Sequence, residues 1–416
     1  MDTSTASPGS GVDAAELAAI EAAAASAEPA YLGDLERLVN IDCGSYTPGG
    51  VDEVGRFVEA FLAGIGGAVS RHPDPAGRLG STIVGTIEGG DPAGPRLLLI
   101  GHMDTVFDPG TVAERPFRIE GGRAYGPGVT DMKSGLLTGL YGLRLLLGPA
   151  GGTGAAGERP FARITFVANP DEEIGSPVST PHIRAVATEA DACFVLECAR
   201  ANGDVVSARK GTLDVVATIH GRAAHAGVEP EKGRSAILEA ARFIRDVHAL
   251  NGRWQGVTVN VGVVAGGTRP NVVAERCTLE IDVRATDAAA QDAAEAAIAE
   301  LAAATEVPDT TIEIVRRARH RPMEKLDRSV RLVEHVVTLG ERLGFAVKDT
   351  ATGGASDANT TAGMGVPTID GLGPIGGNDH SPAEYLEVAS IVPRTALFAA
   401  LLLAVGRDPV VRGWRG

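Results

Sequence analysis

The stretch Leu97–Lys133 constrains the fold most. It reads LLLIGHMDTV, then a spacer, then YGPGVTDMKSG. An apolar run closed abruptly by His102, Met103 and Asp104 suits a buried parallel strand whose C-terminal end opens on a site. Asp131 follows in a Gly-rich loop and leads into GLLTGLYGLRLLL, whose spacing predicts a helix. A histidine and an aspartate at two loop ends have the chemistry of metal ligands. Asp104, two residues after His102, is placed to accept the other imidazole N–H and fix the tautomer. A capping aspartate and a satisfied loop histidine would read the same way.

Further runs repeat the pattern. Thr82–Ile87, Arg96–Ile100, Arg163–Val167 and Ala192–Leu196 read as strands, and Tyr31–Val39 and Val51–Ile65 as helices. The third strand run leads into NPDEEIGSP, which carries Glu172 and Glu173. The fourth ends at Glu197. Polar residues at successive strand ends, with helices between, predict an open α/β sheet with a mixed, mostly parallel order. Pro149–Pro160 (PAGGTGAAGERP) predicts a surface loop.

After about Val206 the pattern changes. LDVVATIHG predicts a strand, GRSAILEAARFIRDVHAL a helix, and VTVNVGVVAGG and CTLEIDVRA two strands. DAAAQDAAEAAIAELAAA predicts a helix and TTIEIVRRA a last strand. The order β-α-β-β-α-β makes a compact, ferredoxin-like α+β unit. It reads as an insertion, because the α/β pattern resumes near Ser329 with a helix to Leu343. A Gly-rich segment follows, then a final helix from Val388 to Val405. The expected organisation is a flexible segment over 1–28, a first α/β part over 29–205, the inserted unit over 206–318, and a second α/β part over 319–416.

Composition excludes several classes. A formal charge of −15 argues against nucleic acid, whose phosphates demand a basic face. Cys43, Cys193, Cys198 and Cys277 are widely spaced with no CxxC, so they read as reduced thiols. The N-terminus lacks a basic region followed by a Leu-rich one, and no uncharged apolar run reaches the roughly 18 residues of a membrane span. A cytoplasmic location follows as the default. The first dozen residues are expected to be disordered, and Asp13 to about Ala27 helical.

The pair Glu172–Glu173 has two readings. One is a solvated acidic loop. The other is a division of labour, with one carboxylate on a metal and its neighbour taking a proton from water. Glu197, and His380 in GGNDHSPAEYL, say little alone. With His102 and Asp131 they make two histidines and several carboxylates on separate loops.

The ordered set HMDTV, GVTDMKSG, NPDEEIGS, Glu197, HGRAAHAG, GGASDA and NDHSPAEYL resembles the M20 family of co-catalytic zinc peptidases and deacylases. The likeness runs from about Asp34 to Ala404 and is strongest to the glutamate carboxypeptidase branch, through ARKGTLDVVATIHGRAAHAG. It implies two Zn²⁺ per chain, with Mn²⁺ or Co²⁺ as possible substitutes. His102 and Glu197 would hold one ion, Glu173 and His380 the other, and Asp131 would bridge them. Glu172 would be the general base and Asp104 the partner of His102. A cis peptide is expected at Asp131–Met132.

The implied reaction is amide hydrolysis, in which Glu172 takes a proton from the attacking water and passes it to the leaving amine. The inserted unit would be a lid and dimerisation domain, and its His225 would donate to the oxyanion in the partner subunit's site. A turn histidine in a polar hairpin is the plainer reading of His225. His220 and His248 read as structural. The leaving group would carry a free carboxylate, with Arg284, Asn271, Lys210 and Arg321 as anchors and Gly353 and Gly354 as a close wall. Each charged candidate also reads as an exposed charge, Lys210 and Arg321 most of all. Ala274 and Cys198-Ala199 depart from the family, which often has proline there. The leading expectation is a zinc carboxypeptidase releasing a C-terminal amino acid, of glutamate type. The alternatives are an aminoacylase or other N-acyl-amino-acid deacylase, and a non-catalytic metal-bound binding protein, which would have no need of Glu172.

Overall fold

The computed structural model describes residues 8, 11–149, 154 and 157–415. Most of the first dozen residues, where disorder is expected, and half of the surface loop expected over Pro149–Pro160 fall outside them. The chain divides into two units. One comprises Met1–Ser207, Lys325–Ala351 and Ser356–Gly416; the other comprises Ala208–Glu324 and Thr352–Ala355.

The first unit starts with helices α1 (Ala14–Val39) and α2 (Pro48–Gly64). Strands β1 (Ala68–His72), β2 (Thr82–Glu88) and β3 (Arg96–His102) follow, then helix α3 (Ser134–Leu147) and strands β4 (Arg163–Asn169) and β5 (Ala192–Val195). The second unit contains β6 (Gly211–His220), α4 (Ala236–His248), β7 (Thr258–Gly266), β8 (Arg276–Ala285), α5 (Ala288–Ala303) and β9 (Thr311–His320). The chain returns to the first unit with α6 (Asp327–Arg342), β10 (Thr368–Ile369) and α7 (Ile391–Arg407).

Six strands in the order β1-β2-β4-β3-β5-β10 form the sheet of the first unit. The pairs β4–β3, β3–β5 and β5–β10 are parallel, and β1–β2 and β2–β4 antiparallel. Leu97 to Ile100 in β3 are all buried, as both-face coverage of a parallel strand requires. Strands β1 and β10 had no signature: β1 reads AVSRH with no clean alternation, and β10 has two residues.

The expectation of a flexible 1–28 segment is corrected from Asp13 onward. Asp13 caps α1 in a reciprocal box with Glu16, and Leu17, Ile20 and Ala24 are buried. The helix runs on through Pro29, where two separate segments were expected. An interior proline costs about 3 kcal/mol, which packing of α1 on α3 and α7 outweighs. The helical stretch Val388–Arg407, which contains α7, is apolar and long enough, by composition, to cross a membrane, yet most of it is buried inside the unit. Its Arg394 is also buried and donates to the carbonyls of Gly203, Gly371 and Gly373, which ties the loops after β5 and after β10 to one point.

In the second unit all strand pairs are antiparallel, in the order β7-β8-β6-β9. Helices α4 and α5 pack on one face. Along β8, Cys277, Leu279, Ile281 and Val283 are buried, while Glu280, Asp282 and Arg284 alternate onto the other face. Ser235 caps α4 by accepting from the Leu238 N–H.

Candidate metal centre

The first unit converges on the C-terminal ends of β3, β4 and β5. His102 is the last residue of β3, Glu172 and Glu173 lie in a single helical turn after β4, and Glu197 follows β5. Asp131 sits before α3, with a cis bond to Met132. A small second sheet fixes the last ligand candidate. Gly376–Gly377 pairs with Tyr385–Glu387, which pairs with Arg123–Tyr125, so the loops carrying His380 and Asp131 are neighbours. Gly135, just after that loop, could carry no side chain: a Cβ there would lie 1.8 Å from the Leu196 carbonyl oxygen.

The two oxygens of Asp131 face opposite ways. Oδ1 is 3.0 Å from His102 Nε2, and Oδ2 is 3.0 Å from His380 Nε2. His380 Nε2 is also 3.1 Å from Glu173 Oε2, and His102 Nε2 is 3.7 Å from Glu197 Oε1. His102 Nδ1 donates to the Asp104 backbone carbonyl at 2.9 Å, which leaves Nε2 aimed at the acidic residues.

The Asp104 carboxylate has a wider task than expected. It lies 3.3 Å from His102 Nδ1, accepts from the Ser45 hydroxyl at 2.6 Å, and accepts the backbone N–H groups of Glu172 and Glu173 at 3.1 and 3.2 Å. It therefore orders the acidic turn as well as the imidazole.

Electrostatics follow from packing so many acids together. Burial pushes the Glu172 carboxyl well above its ordinary value; Glu197, Asp357 and Glu173 add to the rise and His102 opposes it. Burial also raises Glu173. Burial favours neutral His102, but Glu197, Asp104 and Asp131 outweigh it and hold the imidazole well above its usual value. Hydrogen bonds to Asp131 and Glu173 push His380 up to about 11. Burial opposes ionisation of Asp131, yet the two histidines hold it below the usual carboxylate range.

The donor set fits zinc. Tetrahedral zinc with bonds near 2.0–2.1 Å separates its ligand atoms by about 3.3 Å, close to the spacings above. Donor atoms of His102, Asp131 and Glu173, and of His102, Glu172 and Glu197, each lie within 4.8 Å of one another. Glu173 Oε1 is buried with no hydrogen-bond partner among the described residues, an acceptor left for a cation.

Three supporting residues had no assigned role in the sequence. Glu384 is buried and accepts the N–H groups of Gly128, Thr130 and Asp131 at 3.0, 2.8 and 3.1 Å. Burial pushes its carboxyl up to about 7. It ties the His380 loop to the Asp131 loop; its place in NDHSPAEYL was the available signal. Asp357, in GGASDA, accepts from Ser176 and Asn169 behind the acidic turn, and burial raises it to about 6. Lys133 is buried and donates to the carbonyls of Ile41 and Pro127. The backbone is also bent here. Ser176, Asn378 and His380 have φ near +60°, uncommon for non-glycine residues and typical of functional loops.

The other candidates lie in the second unit. His225 is exposed on a turn whose backbone bridges Val272, and the Ala226 N–H donates to the Asn271 carbonyl, so His225 and Asn271 are neighbours. Lys210 donates its N–H to the Thr352 carbonyl beside Gly353 and Gly354. Arg284 is half-exposed and paired with Asp282 at 2.9 Å. Arg321 is set apart: it bonds Asp292 and the Ala288 carbonyl on α5, in the helix layer. No protein neighbour demands glycine at Gly353, where a Cβ would meet nothing within 4 Å, and at Gly354 it would meet only Arg209 Nη1 at 3.8 Å. His220 faces Glu313 at 3.6 Å, and His248 accepts from the Val261 N–H.

The chain matches known proteins in both sequence and fold. Residues 98–404 match the family model Peptidase family M20/M25/M40. The chain is 33% identical to carboxypeptidase G2 of Pseudomonas sp. (strain RS-16) over 92% of its own length and 91% of the relative's. It is 28% identical to the acetylornithine deacetylase of Proteus mirabilis (strain HI4320), over 54% of this chain and 58% of that protein. The fold is similar to that of aminopeptidase PepT from Bacillus cereus ATCC 10987, at a TM-score of 0.73 and 23% identity, covering 91% of this chain and 99% of that one. The chain belongs to peptidase family M20/M25/M40 and is a metal-dependent hydrolase of peptide or amide bonds.

Proposed function

We propose that this hydrolase is a di-zinc carboxypeptidase that releases a C-terminal amino acid, of glutamate type. The observation that carries the two-metal reading is the split of Asp131 between His102 and His380, one carboxylate oxygen to each imidazole. His102 and Glu197 would hold one ion, Glu173 and His380 the other, and Asp131 both. The ions supply, when bound, Lewis-acid polarisation of a carbonyl and of water at neutral pH.

The chain's own residues do the rest. Glu172 takes a proton from the attacking water on its carboxylate and returns it to the leaving amine. A carboxyl raised by burial suits a group that must both take and give a proton. Asp104 holds the acidic turn and the His102 ring in register. The second unit would act as lid and dimerisation domain, so the protein would work as a homodimer. His225 would donate to the oxyanion in the other copy's site. Arg284 and Asn271 would take the free carboxylate of the substrate, with Lys210, Gly353 and Gly354 near it. Arg321, committed to Asp292, is the weakest of the proposed anchors. A cytoplasmic location accompanies this reading.

The likeness to an acetylornithine deacetylase supports a second reading, an N-acyl-amino-acid deacylase with the same catalytic groups. A hydrolysis screen of N-acyl amino acids and dipeptides with Zn²⁺, varying the C-terminal residue, tests both. Preference for glutamate-terminated substrates supports the first. Turnover confined to acetylated basic or neutral amino acids replaces it with the second, and no turnover of any member rejects both.

A further inference from the structure

A groove of about 650 Å³ runs between α1 and α2 on the first unit. Arg37 lines it from α1, and Glu53, Arg56, Phe57, Ala60 and Phe61 line it from α2. We propose that this groove binds a phosphate monoester with a flat apolar body, of about nucleotide size. None of the candidate metal ligands lines it, so the site is separate from the cluster.

Charge is the first argument. The chain carries a formal charge of −15, yet three guanidiniums gather here. Arg37 and Arg56 line the groove, and Arg144 of α3 lies over the Phe61 ring at 4.9 Å. None of the three pairs with a carboxylate among the described residues. The sequence of α2 places Asp52 and Glu59 at i−4 and i+3 from Arg56, where ion-pair partners stand on a helix. Both are taken instead by Arg71 of β1, at 3.1 and 2.8 Å. Asp34, one turn before Arg37, accepts from the Tyr141 hydroxyl at 2.7 Å. Glu53 is the one carboxylate among the lining residues, so cations exceed acids there. Helix dipoles account for Arg37 and Arg144, which lie in the last turns of α1 and α3. Arg56, in the middle of α2, has no such reason.

Pre-organisation is the second. Arg37 lies over the Phe57 ring at 5.5 Å, and Arg144 lies over Tyr141 at 4.0 Å as well as over Phe61. A guanidinium held against a ring face keeps its N–H donors free along its edge. Aromatic residues make up 4% of the chain, yet Tyr31, Tyr141, Phe61 and Phe57 form a continuous row. Successive ring centroids are 5.1, 5.3 and 6.0 Å apart. Tyr31 anchors the row: it is buried and donates to the Ser134 carbonyl at 2.5 Å. The platform under the cations is therefore fixed, and a fixed site loses little in ordering when a ligand enters.

The donors set the ligand class. A single carboxylate is satisfied by one guanidinium fork. A phosphate monoester carries roughly two negative charges and three acceptor oxygens, enough for several forks. Ala60 is exposed and Phe61 half-buried, which leaves an apolar wall for the rest of the ligand. The volume falls within the range of about 300–1,000 Å³ typical of small-molecule sites.

The test titrates full-length, zinc-loaded enzyme with AMP by calorimetry at low ionic strength, beside adenosine and inorganic phosphate. Phosphate oxygens also bind zinc, so the Arg37→Gln/Arg56→Gln double variant separates the two locations. Both residues are exposed, so folding is not at stake. The double variant should bind AMP at least about tenfold more weakly, the scale of charge-assisted hydrogen bonds, with metal content unchanged. Arg56→Lys should fall between it and the wild type, because charge remains and the fork is lost. Glu53→Gln removes the one opposing charge and should tighten AMP about two- to fivefold, a gain that misfolding cannot produce. Adenosine lacks the charge and inorganic phosphate the flat body, so each should bind more weakly than AMP. No AMP binding by the wild type, or equal affinity in the wild type and the double variant, overturns the site. Inorganic phosphate binding as tightly as AMP overturns the apolar part of the ligand.

Discussion

In the first unit, β3, β4 and β5 are buried on both faces and deliver His102, the Glu172–Glu173 turn and Glu197 to one place. Acids outnumber the histidines there, and Glu173 Oε1 has no hydrogen-bond partner among the described residues. In the second unit, buried charge is satisfied by the chain itself. Arg242 pairs with Glu239, and the second oxygen of Glu239 accepts the N–H groups of Glu306 and Val307. On the open face of that sheet, Arg284–Asp282 and Arg317–Glu280 are exposed pairs, which contribute little to stability. The difference separates two uses of ionisable residues. A self-neutralising network serves architecture, whereas a buried acidic surplus calls for a cation from outside.

The largest expected effect attacks the surplus at its proton-handling member. Glu172→Gln should reduce kcat by at least about 10²–10⁴-fold with metal content unchanged. Near-normal turnover, or loss of metal, would mean that the two glutamates have exchanged roles.

His225→Ala should lower kcat by roughly 10²–10³-fold, the usual cost of an oxyanion donor, with metal content unchanged. Mixing Glu172→Gln chains with His225→Ala chains sharpens this. Heterodimers would contain one site with an intact base and an intact histidine from the other copy, so activity should return. If the mixture stays inactive after demonstrated exchange, the histidine does not act across subunits.

Metal uptake should itself depend on pH, because the ions displace protons. Hydrogen bonds to Asp131 and Glu173 push His380 up to about 11, and His102 is also raised, so each should have a proton to release when metal binds at neutral pH. Displacing one proton weakens apparent affinity about tenfold for each unit that pH falls below that value, and displacing two about a hundredfold. Zinc titrations at several pH values, with proton release followed in weak buffer, measure the slope. A flat profile would show that the cluster does not hold these protons.

Glu384→Gln probes the support behind the ligands. The neutral side chain keeps the volume but weakens acceptance from Gly128, Thr130 and Asp131. Metal affinity should fall about 10–100-fold, as for other outer partners of ligands. An unchanged affinity would reduce Glu384 to a loop filler.

The smallest effect belongs to the second unit. Ser235→Ala removes the cap of α4 and should cost about 1 kcal/mol. Amide exchange should quicken in β6 to β9 with metal content unchanged. Equal quickening in β3 to β5 would show that the two regions are not separable in this way.

Much of the molecule was legible before any coordinates. Helix and strand periods recur from Val51 to Val405, and the ferredoxin-like order emerges from period alone, because alternation and 3.6-residue spacing are local. His102, Asp131, Glu172, Glu173, Glu197 and His380 were visible as polar residues closing apolar runs or lying in Gly-rich loops. That chemistry is written in residue type and order. What only the tertiary structure decided is where long-range contact outvoted local preference. Helix α1 runs through Pro29 because α3 and α7 cover it. Strands β1 and β10 exist because a sheet edge accepts them. The Asp104 carboxylate holds the Glu172–Glu173 turn because β3 and β4 lie side by side. Glu384 supports the Asp131 loop across 253 positions of chain. Such partnerships have no period and no fixed spacing; folding alone brings their members within hydrogen-bond reach.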